Sequence, residues 1–153
     1  MGEPVTGALL SSDTAIRALL QRVRRIALLG ASANEDRPSN EVMHWLLQQG
    51  YDVVPVNPGL AGKTIHGQKV YAHLADVPAP IDMLDVFRAS DALPGIVDEA
   101  IAERARLNLS AIWTQLGVVD EAAAAKAAAN GFEVVMNRCP KIEWRRLQMA
   151  RTR

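Results

Sequence analysis

Short apolar runs that end in small or polar residues recur along this chain, separated by amphipathic segments of helical length. Few folds accept that alternation. Residues 26–29 stop at Gly30, residues 53–56 run into Asn57-Pro58-Gly59, and residues 83–87 run into Arg88. Residues 109–113 lead to Thr114-Gln115-Leu116-Gly117, and residues 132–136 form the last run. Such brief, unbroken runs suit strands covered on both faces, as in a parallel sheet.

The intervening segments read as helices. Pro38 and Ser39 open one whose stripe is Val42, Met43, Leu46 and Leu47, and Gly50 stops it. Ser90 is expected to cap a second, with Leu93, Ile96, Val97, Ala100 and Ile101 on one face. Asp120 caps an alanine-rich helix that Asn130-Gly131 ends, and Pro140 opens the last one, through Leu147. Residues 14–23 form a helix ahead of the first strand. Residues 59–79 are irregular, with an edge piece near 69–71 and a helical turn within 72–77. Right-handed crossovers between parallel strands put helices on both sheet faces. The expectation is an α/β fold: a three-layer, Rossmann-like doubly wound parallel sheet. It is one domain over residues 1–153, with a helical extension before residue 25.

Composition narrows the function classes. Seventeen basic residues balance seventeen acidic ones, so no global charge recruits nucleic acid or an anionic membrane surface. An anionic ligand needs a local site. The one cysteine, Cys139, forms no intrachain disulfide. No apolar run is long enough to span a bilayer. The first residues lack the basic and apolar regions of a secretory signal, so a cytoplasmic protein is expected. Gly2 and Thr6 fit an N-myristoylation pattern only superficially.

In a doubly wound sheet, ligands settle in the crevice at the carboxyl ends of the strands, where the strand order reverses. Gly30-Ala31-Ser32 lies at the first such end, with a helix start just beyond. Its backbone donors, with Ser32, Ser39 and Asn40, make a candidate pyrophosphate cradle. The bland alternative is a turn and a helix cap. Neither the G-x-G-x-x-G spacing nor a P-loop lysine is present. The second strand ends in Val54-Pro55-Val56-Asn57-Pro58, without the carboxylate that an NAD ribose requires. That favours a ligand with an extra ribose phosphate, which Lys63 or Arg37 can meet if they are not ordinary surface cations. Arg88 offers a planar pair of donors to phosphate, or a salt bridge to a neighbouring loop. Trp113 either covers the site or packs in the core.

Taken with Asp85-Val86-Phe87-Arg88, Ile112-Trp113-Thr114-Gln115-Leu116-Gly117 and Asn137-Arg138-Cys139-Pro140-Lys141, these stretches resemble the small, stand-alone CoA-binding proteins. Their fold is similar to the CoA-binding domain of the succinyl-CoA ligase alpha subunit. The likeness runs over roughly residues 14 to 149. It implies coenzyme A or an acyl-CoA as ligand, with Gly30, Ala31 and Ser32 facing the nucleotide phosphates. It implies Asn57, Pro58 and Lys63 around the adenosine and its 3′-phosphate, with Val56 also among the ligand-binding residues. Val86, Phe87 and Arg88 would line the crevice, with Trp113 and Asn137 as further wall. The ligase's phosphorylated histidine sits in a later domain that this sequence does not match. His44, His66 and His73 are therefore expected to be structural or surface residues.

The expected function is binding of CoA or acyl-CoA without catalysis. One alternative is thiol chemistry at Cys139, since a helix start can stabilise a thiolate. Another is an NAD(P)-binding oxidoreductase, although Tyr51 and Tyr71 lack a matching catalytic lysine. A third is an interaction protein with a vestigial crevice. The segment around Trp144, Arg145 and Arg146 either supports a homodimer or covers the sheet. No metal-ligand pattern stands out.

Overall fold

A computed structural model describes residues 7–150 of this chain; the Gly2–Thr6 pattern lies outside them. In chain order the elements are β1 (Ala8–Leu9), α1 (Asp13–Arg22), β2 (Arg25–Leu29), α2 (Pro38–Gln48) and β3 (Asp52–Val56). The small hairpin β4 (Thr64–Ile65) and β5 (Gln68–Lys69) follows, then β6 (Met83–Val86) and α3 (Leu93–Leu107). The chain continues through β7 (Ala111–Thr114), α4 (Glu121–Ala129), β8 (Glu133–Val135) and α5 (Pro140–Arg146). Single 3₁₀ turns cover Pro58–Leu60, Leu74–Asp76 and Ser90–Ala92.

Six strands make one parallel sheet in the order β1-β8-β7-β6-β2-β3. Because side chains alternate along a strand, each strand feeds two cores. Ile26, Leu28, Met83 and Trp113 join α1, α2 and α5 in one. Ala27, Leu29, Leu84, Val86 and Ile112 join α3 and α4 in the other. The chain leaves β2 towards β3 at one edge, and leaves β6 towards β7 in the opposite direction. The switch point is therefore the seam between β2 and β6.

Several local expectations hold. Pro38 and Pro140 sit in first turns; Ser12, whose hydroxyl caps α1, and Asn108, which ends α3 in the left-handed region at φ 57°, were not among those expectations. Asp120 caps α4, accepting the Ala123 N–H at 3.0 Å. Asp120→Ala should lower stability by about 1 kcal/mol, read from the urea midpoint at constant m-value.

Two readings are corrected. Ser90 caps no helix: its Oγ donates to the Gly117 carbonyl at 3.0 Å and accepts the Val119 N–H at 2.9 Å. It ties the loop after β6 to the loop after β7. Ahead of β2 lies an edge strand as well as a helix, with Ala8 and Leu10 N–H donating to Phe132 and Val134 carbonyls. Two exposed residues carry no periodicity by which to find it. Trp144 is buried, edge-on to Trp45 at 5.6 Å and to Tyr51 at 6.2 Å. Arg146 reaches Asp13 at 2.7 Å and Glu143 at 3.0 Å, joining α5 to α1. Those two side chains seal the layer. Among the described residues, no helix is long and apolar enough to cross a membrane.

Candidate functional site

The loops after β2, β3, β6 and β7 converge at the carboxyl rim of the sheet. Gly30 is the hub. Its backbone is at φ +86°, and an added Cβ would stand 2.2 Å from the Phe87 carbonyl oxygen. With no side chain there, the loops after β2 and β6 approach each other directly across the switch point.

Three cavities meet around this hub. The first, about 70 Å³, lies between Val56, Pro58, His73, Leu74 and Arg88. The second, about 340 Å³, is lined by Gly30, Ala31, Ser32, Arg37, Ser39 and Phe87, with Pro38 and Asn57 alongside. The third, about 360 Å³, opens beyond Pro38 and Phe87 and reaches Gln115 and Cys139. Gly30 is shared by the first two, Pro38 and Phe87 by the last two, and Arg88 by the first and third.

The second cavity sits at the start of α2. Arg37 occupies the N-cap position and makes no side-chain cap. Helix starts leave N–H groups unpaired and carry partial positive charge, so such an end attracts an anion. The N–H groups of Ser32, Ala33 and Ser39 meet no acceptor among the described residues. Those of Gly30 and Ala31 are directed elsewhere, both to the Val56 carbonyl, at 3.0 and 3.3 Å. The donors open to a phosphate thus belong to Ser32, Ala33 and the helix start, one step further along than Gly30. The exposed Arg37 guanidinium adds a cation.

The two asparagines hold the loop's shape. Asn57 Nδ2 donates to the Ala31 carbonyl at 2.8 Å while its Oδ1 accepts the Gly59 N–H at 2.9 Å. Asn40 Nδ2 donates to the Ser32 carbonyl at 2.9 Å, and its Oδ1 lies 2.8 Å from His66 Nε2. The 31–32 segment is clamped from both sides.

Other expected wall residues are placed differently. Trp113 is fully buried, its Nε1 donating to the Arg138 carbonyl at 2.8 Å. It belongs to the core and supports the loop after β8, because position 113 points to the α2–α5 face of the sheet. Val86 points to the opposite face, into the α3–α4 core. Asn137 is exposed at φ 63°, and its Oδ1 accepts the Gly117 N–H at 2.8 Å, joining two rim loops. Lys63 is exposed in the turn beyond Pro58, outside the linings of the three cavities. His73, read as a structural or surface residue, is exposed and lines the first cavity, while His66 stacks near His44 at 4.9 Å between ring centroids.

Asp85 and Gln115, quoted above within motifs but given no role there, are joined in the structure. Asp85 is fully buried beneath the rim, its Oδ1 accepting from Gln115 Nε2 at 2.7 Å and its Oδ2 without a partner. Burial raises this carboxyl to about 7, and the Gln115 hydrogen bond only partly opposes it. An acidic residue inside an otherwise apolar strand, at position 85, was the one signal in the sequence. Cys139 is also buried, and desolvation pushes its thiol upward, further from the thiolate that nucleophilic chemistry needs. Among the described residues, no cluster of three metal-ligating side chains occurs.

Comparison with known proteins agrees with this fold. The uncharacterized protein YneT of Bacillus subtilis (strain 168) is 35% identical over 131 residues, 86% of this chain and 93% of that one. The structure of cell-free ID.343 from Thermus thermophilus superposes with a TM-score of 0.82 at 36% identity, covering 90% of this chain and 99% of that one. A hypothetical protein from Pyrococcus horikoshii OT3 gives 0.81 at 34% identity, covering 97% and 98%. Residues 24–145, which include every loop of the rim, match the model described as CoA binding domain, and the chain belongs to that family.

Proposed function

We propose that this chain binds coenzyme A or an acyl-CoA along the three joined cavities and performs no catalysis of its own. The observation that carries this reading is the uncapped start of α2. Open N–H groups and Arg37 surround a cavity at the switch point, a donor set that fits a diphosphate. The adenosine then lies towards Pro58 and His73, and the thiol arm runs past Phe87. Arg88 lines the cavity on the adenosine side, and the 3′-phosphate then lies outside the cavities, at the exposed Lys63 in the turn beyond Pro58. In this reading the domain is of the succinyl-CoA ligase alpha type, supported by the order and separation of its rim motifs. The upward shift of the Cys139 thiol supports a binding role over thiol catalysis.

Calorimetry with CoA, dephospho-CoA and NAD tests the proposal. CoA should bind, dephospho-CoA should bind about 10- to 100-fold more weakly, and NAD should give no measurable heat. Arg37→Ala should weaken CoA and dephospho-CoA by similar factors, whereas Lys63→Ala should weaken CoA alone. Equal affinity for CoA and dephospho-CoA would remove the 3′-phosphate from the reading. NAD binding as tight as CoA would overturn it.

A further inference from the structure

The third cavity differs in chemistry from the phosphate cradle it adjoins. Its walls are the apolar side chains of Pro38, Val42, Phe87, Leu116 and Val118, backed by Cys139. Val42 and Val118 are buried, whereas Leu116 is 59% exposed and forms a rim. Gln115 is the buried polar group of the lining. Its orientation is set from behind, because Nε2 donates to Asp85 Oδ1 at 2.7 Å. With Nε2 so engaged, Oε1 is the acceptor this lining residue has left, and it takes no hydrogen bond among the described residues. The buried walls carry no cation, and Arg88, the charged member of the lining, is exposed.

Such a chamber suits an uncharged, apolar group attached to something that donates one hydrogen bond. A thioester arm leaving the cradle past Phe87 arrives here, with the N–H of its last amide close to the acyl group. We propose that the chamber holds the short, apolar acyl group of an acyl-CoA thioester, with Gln115 Oε1 accepting from the arm's terminal amide. The domain thereby distinguishes apolar acyl-CoA from free CoA. An acyl chain ending in a carboxylate is disfavoured, since it would lose its hydration without meeting a buried donor. It would also enter one hydrogen bond away from Asp85. The inference rests on the CoA-binding reading and adds the ligand class to it.

Calorimetry with CoA, acetyl-CoA, butanoyl-CoA and succinyl-CoA decides the matter. Affinity should rise about fourfold for each methylene added between acetyl and butanoyl, the factor expected for burying one methylene. Succinyl-CoA should bind about tenfold or more below butanoyl-CoA. Leu116→Asp, at an exposed position that leaves the core intact, should bring the ratio of butanoyl-CoA to CoA affinity towards one. Equal binding of CoA and butanoyl-CoA by the parent chain would overturn the acyl chamber while leaving the CoA site standing. Tightest binding of succinyl-CoA would overturn the apolar preference. Failure of every CoA species to bind would overturn the underlying reading, and this one with it.

Discussion

Asp85→Asn should flatten the pH dependence of stability, changing the gap between variant and parent by roughly 4 kcal/mol between pH 4 and pH 8. The parent carboxyl is fully buried and one of its oxygens is unpartnered, so burial raises it from the ordinary 3.8 to about 7. Over that interval the native state keeps its proton while the unfolded chain has released it. Parent stability therefore falls as pH rises from about 4 to about 7, and levels off above. Asparagine has no charge to bury, yet its carbonyl still accepts from Gln115. The variant should stand near the parent at pH 4 and gain on it steadily towards pH 8. Urea midpoints across this range measure the effect, and parallel curves would show that Asp85 does not titrate as its burial demands.

Gly30→Ala should lower stability by about 3 kcal/mol and remove CoA binding, with a fall in Tm of roughly 6–12 °C. Two penalties add. Alanine is strained at φ +86°, and its Cβ would lie 2.2 Å from the Phe87 carbonyl oxygen and 2.9 Å from the carbonyl carbon. Both are backbone atoms in the loop after β6, so no rotamer change relieves the overlap. The seam between β2 and β6 must open, and Gly30 lines two of the three cavities that meet there. Gly117→Ala is the matched control, with φ +85° and nothing within 4 Å of the added carbon. It should lose only about 1–2 kcal/mol, the strain without the clash. Equal losses at the two positions would show that the contact across the seam is unimportant.

Much of the fold was legible because its signals are local. Residues 26–29, 83–87 and 132–136 announce buried strands by continuous apolar character. Asp120 and Pro140 announce helix starts by side-chain chemistry, and the structure places both there. Ser90 misled because a serine before a helical pattern reads as a cap, while its hydroxyl has better partners 27 and 29 residues on. The candidate site was legible as a rim, less so as a set of contacts. Which asparagine atoms are engaged, and which N–H groups remain open, depends on carbonyls brought in by other strands.

Periodicity and turn residues in the chain alone settled that strands and helices alternate, and that polar turns gather at the strand ends. Only tertiary packing decided that Asp85 is shut away from water, that Trp113 turns into the core, and that an apolar chamber adjoins the cavity at the start of α2. Its walls, Pro38 and Val42 from α2, Phe87 from the loop after β6, and Cys139 before α5, lie far apart in sequence. Secondary structure is written by neighbours within a turn or two. Burial, pKa and cavity shape are written by whatever the sheet brings alongside, and no window of sequence contains those partners.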